Sequence, residues 1–250
     1  MKKLIILFFT ISVLFGCKND PPQIVKIEGK LVPVAIDVQS DAKIEEVIKP
    51  YKVKVDAEMS NIISYSPKFI GRTDGELESS LGNLFADLSY ERANPVFKAR
   101  TGKNIDFALF NYGGLRSSIA KGKITTKDIY TLMPFENYLV VVELSPVKIK
   151  ELLTYLVKYE AAHPLSKHAN LLITKNGYQF KINNVPFNET KNYYVLTTDY
   201  LQNGGDLMSF FREPVKLFRL DYRARNAIID YLKETDTIKT ILDGRFRKEK

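Results

Sequence analysis

At 250 residues the chain is long enough for one substantial domain, or two small ones, with a real hydrophobic core. Its 45% apolar and 26% charged residues exclude wholesale disorder. The formal charge of +8 suits anionic lipid, phosphorylated small molecules or nucleic acid, but no Lys/Arg block is long enough for a nucleic-acid arm, so nucleic acid is not an expected partner; Arg245-Phe246-Arg247-Lys248-Glu249-Lys250 reads as a solvated tail.

In chain order the first feature is a leader. Met1-Lys2-Lys3 supplies a positive start and Leu4 to Phe15 is almost wholly apolar, too short to span a bilayer as a helix but suited to a signal-peptide core. The charge falls to +6 without Lys2 and Lys3. Leu14-Phe15-Gly16-Cys17 resembles the lipobox of bacterial lipoproteins, in which the cysteine receives diacylglycerol and the leader is cut just before it. Cys17 is the only cysteine, so it has no internal disulfide partner. The expectation is a signal peptide over 1–16, a lipidated N-terminus and tether over 17–40, and a domain over 41–250. That places the protein in the cell envelope, anchored to a membrane through lipid and facing periplasm or cell exterior.

Lys18-Asn19-Asp20-Pro21-Pro22 reads as an extended polar tether, and the alternation of apolar and polar residues over 23–40 predicts one or two strands. Asp41 to Lys49 predicts a short amphipathic helix stopped by Pro50, followed by strand-like stretches over Val53 to Phe69. Glu78 to Phe97 carries apolar residues at 81, 84, 85 and 88, a helix face with Ser79 or Ser80 as cap. Ile105 to Phe110 predicts a buried strand, Thr125 to Met133 a brief helix, Tyr138 to Leu144 a strand, and Ser145 to Tyr159 a helix burying Ile149, Leu152, Leu153 and Leu156. The stretch 170–200 is strand-rich, with turns at Asn176-Gly177 and Asn183-Asn184. Val215 to Leu220 predicts another strand, and a helix near 222–233 follows. Without strict β-α alternation the class is α+β.

Three glycine- or proline-marked segments stand out: Phe110-Asn111-Tyr112-Gly113-Gly114-Leu115-Arg116, Met133-Pro134-Phe135-Glu136-Asn137, and Thr198-Asp199-Tyr200-Leu201-Gln202-Asn203-Gly204-Gly205-Asp206. The first lets a ligand approach backbone and adds a guanidinium fork suited to phosphate. The second presents an aromatic and an amide, and the third an aromatic and a carboxylate. Each alone is also an ordinary turn.

Taken in order, these segments resemble the C-terminal domain of the 5'-nucleotidase family. Glu78-Ser79-Ser80-Leu81-Gly82-Asn83-Leu84-Phe85-Ala86-Asp87 is similar to that family's E-x-x-x-G-N-L-x-A-D, and the three turns to its N-x-G-G-I-R, L-P-F-x-N and N-F-L-x-x-G-G-D-G. The likeness covers roughly 200 residues, from about Asp41 to the terminal Asp243-Gly244-Arg245. It implies a layered α/β/β/α sandwich and a nucleotide or nucleoside ligand. The base would lie between Phe135 and Tyr200, Tyr200 standing where the family has phenylalanine. Asn111 and Asn137 would meet base or sugar edges, Asp206 ribose hydroxyls, and Arg116 phosphate. Gly75 stands where many relatives have a further arginine, with Arg72 as a candidate substitute; Asp199 and Leu207 replace the family's asparagine and last glycine.

Full-length relatives add a two-metal phosphatase domain. This chain has only His163 and His168, read as surface residues in a loop, and Glu76, Glu78 and Asp87 read as helix-start charges; no catalytic residue, metal ligand or cofactor is assigned to it. The expectation is the nucleotide-recognition half of a 5'-nucleotidase-type phosphoester hydrolase in nucleotide catabolism. A separate metallophosphatase protein would carry the divalent metals, and whether this chain is itself an enzyme stays open. The alternative is a membrane-tethered nucleotide- or nucleoside-binding lipoprotein with no catalytic role. A third reading is a remnant whose site has decayed.

Overall fold

The computed structural model describes residues 23–33 and 38–249. The leader, Cys17 and Lys18 to Pro22 lie outside the described residues, as do positions 34–37 of the expected strand region. Two compact units divide at Val47 and Ile48.

In the first unit, residues 23–33 have no regular structure, so the expected strands are absent there. Ile24, Val25, Ile27, Leu31 and Val32 are all exposed. Alternation of side chains makes a strand only where a neighbour supplies the hydrogen-bond ladder and a face to bury. Asp41 caps the helix α1 (Ala42–Met59), its carboxylate accepting from the N–H of Lys43 and Ile44 at 2.8 and 3.3 Å. The helix runs through Pro50 rather than stopping there, which also overturns the strand-like reading of Val53 to Met59. Proline removes the donor for the Glu46 carbonyl, and that carbonyl lies on an exposed turn where water replaces the bond.

The second unit carries the core. β1 (Ile62–Ser66) pairs antiparallel with β3 (Gly122–Thr125). Between them runs α2 (Ser80–Thr101), started by Ser79, whose Oγ accepts from Gly82 N–H at 3.0 Å, and closed by Gly102 at φ 72°. Its Leu81, Leu84, Phe85, Leu88 and Phe97 are buried. β2 is only Phe107–Ala108, although most of the expected strand from Ile105 to Phe110 is buried. α3 (Thr126–Leu132) has a complete capping box between Thr125 and Asp128.

A central sheet has the order β2-β8-β4-β9, from β4 (Tyr138–Leu144), β8 (Tyr193–Thr198) and β9 (Lys216–Arg223). β2 runs parallel to β8 and the other pairs are antiparallel. A second sheet has the order β10-β5-β6-β7, from β5 (Ala169–Thr174), β6 (Gly177–Ile182), β7 (Val185–Pro186) and β10 (Phe246–Lys248). Asn183 and Asn184, at φ 50° and 65°, form the two-residue hairpin turn that their sequence predicts. α4 (Pro146–Tyr159), capped by Ser145, buries its four expected residues. Phe180 of β6 meets Phe107 of β2 edge-on at 5.7 Å, and α6 (Ala224–Lys233) packs against α2, giving helix and sheet layers of an α+β fold.

The polar residues of the α2 signature act at long range, which corrects their reading as helix-start charges. Glu78 accepts from Asn83 Nδ2 and from the Gly244 N–H. Asp87 accepts from the Lys167 N–H and from Arg245, whose buried guanidinium also grips Asp243 and the Leu165 carbonyl. Glu76 alone is simply exposed. The histidines are corrected too: His163 is buried, and His168 stacks on Tyr90 with ring centroids 3.6 Å apart.

Candidate functional site

Three chain reversals around the central sheet meet at one cavity. The first follows β2: Asn111 is buried and leads into a short 3-10 turn, Tyr112–Gly114. A side chain at 114 would bring its Cβ to 2.9 Å from Asn111 Oδ1, so glycine is needed for the turn to close over the amide. The second joins α3 to β4 and presents Phe135 and Asn137. The third begins with the one-turn helix α5 (Asp199–Gln202) and passes through Gly204 at φ 86°, Asp206 at φ 51° and Leu207 at φ 61°. Leu207 therefore keeps the left-handed backbone that a glycine adopts without strain, at roughly 1–2 kcal/mol.

All six sequence-predicted residues, Asn111, Arg116, Phe135, Asn137, Tyr200 and Asp206, line a cavity of about 220 Å³ together with Gly113 and Gly114. Phe135 is 40% exposed and Tyr200 44%, unlike the fully buried phenylalanines of the core. The Arg116 guanidinium lies 5.9 Å from the Phe135 ring centroid, and its Nη1 donates to the Gly113 carbonyl at 3.3 Å. Asp206 accepts from Asn111 Nδ2 at 2.6 Å and from the Tyr200 hydroxyl at 2.8 Å. That hydrogen bond to the carboxylate pushes the Tyr200 hydroxyl above its ordinary range. Asp199, in place of the expected asparagine, accepts from the N–H of Tyr138 and Tyr200, so its acceptor function survives.

Arg72 does not line this cavity. Its guanidinium lies 4.8 Å from the centroid of the Tyr112 ring, and its N–H reaches Ser118 Oγ, one shell behind the first turn. No side chain fits at Gly75: a Cβ there would lie 2.4 Å from the Glu78 carbonyl oxygen.

Two buried side chains that sequence reasoning missed hold these turns. His163 Nδ1 accepts from the Tyr112 N–H at 3.1 Å, and burial pushes its pKa down to about 4, so the ring is a neutral acceptor. Arg225 donates to the carbonyls of Met133 and Phe135 and pairs with Glu136, which that guanidinium holds below the usual carboxylate range. Tyr155 adds a third tie, its hydroxyl donating to the Asp206 carbonyl at 2.9 Å; burial, then the Asp206 charge, pushes it up to about 12. None of these sits in a motif. The only sequence signal was the apolar company of His163 and the helical placement of Arg225.

Among the described residues no group of three or more His, Cys, Asp or Glu side chains is placed to hold a metal ion. The site's own carboxylate is turned toward Asn111 and Tyr200, so these residues do not fit a metal pair.

Comparisons with known proteins point to one family. The family described as 5'-nucleotidase, C-terminal domain, matches residues 55–213. A 5'-nucleotidase-related protein of Glossina morsitans morsitans is 24% identical over 94% of this chain and 46% of its own length. Cell wall protein Lmo0130 of Listeria monocytogenes is 26% identical over 83% of this chain and 29% of its own. The crystal structure of a 5'-nucleotidase precursor from Thermus thermophilus superposes with a TM-score of 0.67 at 25% identity, covering 82% of this chain and 42% of that one. The chain spans less than half the length of each of these relatives.

Proposed function

The chain belongs to the 5'-nucleotidase C-terminal domain family, and from that membership we propose that it is the nucleotide-recognition half of a phosphoester hydrolase acting in nucleotide catabolism, completed by a separate metallophosphatase chain. The observation that supports this best is the convergence of two half-exposed rings, two amides, a carboxylate and a guanidinium on one cavity.

In this reading the base stacks on Phe135 and Tyr200. Asn111 and Asn137 meet its edges or those of the sugar, and Asp206 meets the sugar's hydroxyls. Base–aromatic stacking tolerates different bases, which suits a broad nucleotide range. Arg116 takes the phosphate, since its guanidinium lies about a ring's distance above Phe135. The partner's divalent metals would activate water and stabilise the transferring phosphoryl group. Everything done by this chain is binding and orientation.

The leader and Cys17 support a lipid-anchored envelope protein, with 1–16 removed, 17–40 as tether and 41–250 as the recognition domain. The likeness to a cell wall protein is in keeping with that location. Loss of acyl label and release from the membrane fraction in C17A would support the anchor, and retention of both would remove it.

The central test asks whether a two-metal phosphatase with no C-terminal domain of its own is encoded beside this chain, and mixes the two purified proteins. The chain alone, with divalent metal, should not hydrolyse AMP or a nucleotide sugar, and the phosphatase should gain activity on mixing. Nucleotide binding without stimulation of the phosphatase would instead favour the binding-lipoprotein reading. No binding at all would leave a decayed site.

A further inference from the structure

Leu207 carries two unfavourable features at once. Its backbone is left-handed, at φ 61°, and its side chain is 72% exposed, so the strain is not offset by burial within the chain. Glycine, which the family's motif has at this place, would remove both. A large apolar side chain held in a strained turn and left in water becomes favourable only when another surface covers it.

Leu207 stands at the lip of an open groove of about 540 Å³, which Val147, Thr154, Tyr155, Tyr159 and Phe210 also line. α4 buries Ile149, Leu152, Leu153 and Leu156 in the core, while Val147, Tyr155 and Tyr159, at helical spacing, form a second apolar row on its groove side. Tyr155 packs against Tyr159 and Phe210 with ring centroids 4.6 and 5.4 Å apart, so the floor is aromatic and ordered and loses little freedom when covered. At the edge, Lys148 pairs with Glu151 and Lys150 with Glu189. Lys158 pairs with no carboxylate among the described residues, and its Nζ lies 5.2 Å from the Tyr159 ring centroid. The groove thus offers apolar area beside an uncompensated cation.

Groove and nucleotide cavity share a wall. Leu207 follows Asp206 directly, and the Tyr155 hydroxyl reaches from the groove floor to the Asp206 carbonyl at 2.9 Å. In the two-chain reading above, the partner's metals must come within about 2 Å of an oxygen of a phosphate held in that cavity. The partner therefore has to cover surface that adjoins the cavity. Resting on that reading, we propose that the groove between α4 and the Asp206 turn is where the metal-bearing phosphatase docks, through an apolar segment that seats on Leu207 and Tyr159 and carries a carboxylate opposite Lys158. Covering Leu207 then gives its side chain the burial that it lacks in the chain alone.

The test measures binding of the purified phosphatase to the full chain, to L207G and to K158E, with each chain's AMP affinity and melting temperature as controls. L207G should weaken phosphatase binding about tenfold or more, as loss of a buried interface anchor does. Its AMP affinity should stay within about threefold and its melting temperature should not fall, because glycine relieves the strained turn. K158E should weaken phosphatase binding several-fold, and more strongly as salt is lowered. Equal phosphatase binding by all three proteins would overturn the docking site while leaving the two-chain reading intact. Loss of self-association, or of binding to phosphatidylglycerol vesicles, in L207G with phosphatase binding unchanged would give the groove to a second copy or to lipid, and would overturn the inference likewise. If no such phosphatase is encoded, or the unsubstituted chain does not bind it, the two-chain reading falls and the docking site with it. Should L207G fail to fold, K158E, a change at an exposed side chain, still decides.

Discussion

Phe135 combines a large apolar ring with 40% exposure and a cation 5.9 Å above it, a position in which the ring adds little to the core. Stacking of a base is worth about 1–3 kcal/mol, so F135A should raise the dissociation constant for AMP about tenfold or more by calorimetry while the melting temperature stays nearly unchanged. An equal loss of both would mean that the ring is structural. His163 tests the opposite arrangement, a side chain that touches no ligand yet holds the turn carrying Asn111. H163L removes the acceptor for the Tyr112 N–H and should weaken AMP binding several-fold. H163N, whose Oδ1 can occupy the place of Nδ1, should restore most of it, and failure of that rescue would reduce His163 to packing. The residues bearing recognisable chemistry were legible in the sequence because they sit inside short turn motifs. His163 and Arg225 were not, since each serves a turn far away along the chain, and nothing local distinguishes a buried clamp from a surface charge.

At the level of elements, proline shows how far local rules reach. Pro50 was expected to stop a helix and instead lies inside α1, as Pro95 lies inside α2. In both, the carbonyl deprived of its donor, at Glu46 or Glu91, belongs to an exposed residue, where the lost bond costs least. Of the stretch 23–40 expected to form strands, the described residues 23–33 failed for the complementary reason, because a strand needs a partner that no local pattern supplies. α2 shows an element held from outside. Its Asp87 is bound by Arg245 from the far end of the chain, and Asp243 completes the grip. Burial acts to raise the Asp243 carboxyl, but the Arg245 guanidinium outweighs it and holds the group below the usual range. Removing the shared cation leaves two carboxylates facing each other in a partly buried site. R245A should therefore lower stability by about 3–5 kcal/mol, measured by denaturant unfolding. A loss under about 1 kcal/mol would show the pair to be a surface ornament.

For the whole molecule, the buried neutral histidine ties folding to pH. His163 titrates near 4 in the folded chain and near 6.5 when unfolded, so between those values the unfolded chain binds the extra proton. Stability should thus rise with pH across that window and fall as the solution is acidified from about 6.5 to 4, by ~3 kcal/mol from this residue alone. Below about 4 both states are protonated and its contribution stops changing. Unfolding followed between pH 4 and 7 should show this slope in the natural chain and much less of it in H163N; equal slopes would refute the assignment. By itself the sequence determined the class of fold, the helices with strong apolar faces and the Asn183-Asn184 turn, because periodicity, caps and turn motifs are written within a few neighbouring positions, while the six residues that share the cavity were legible through the resemblance that their motifs carry. Only the tertiary structure decided which of the polar residues hold one another. Asp206 is claimed by Asn111 and Tyr200, Asp87 by Arg245, and the Tyr112 amide by His163, because an acceptor's partner is chosen by distance in space once water is excluded, and no spacing along the chain records that choice.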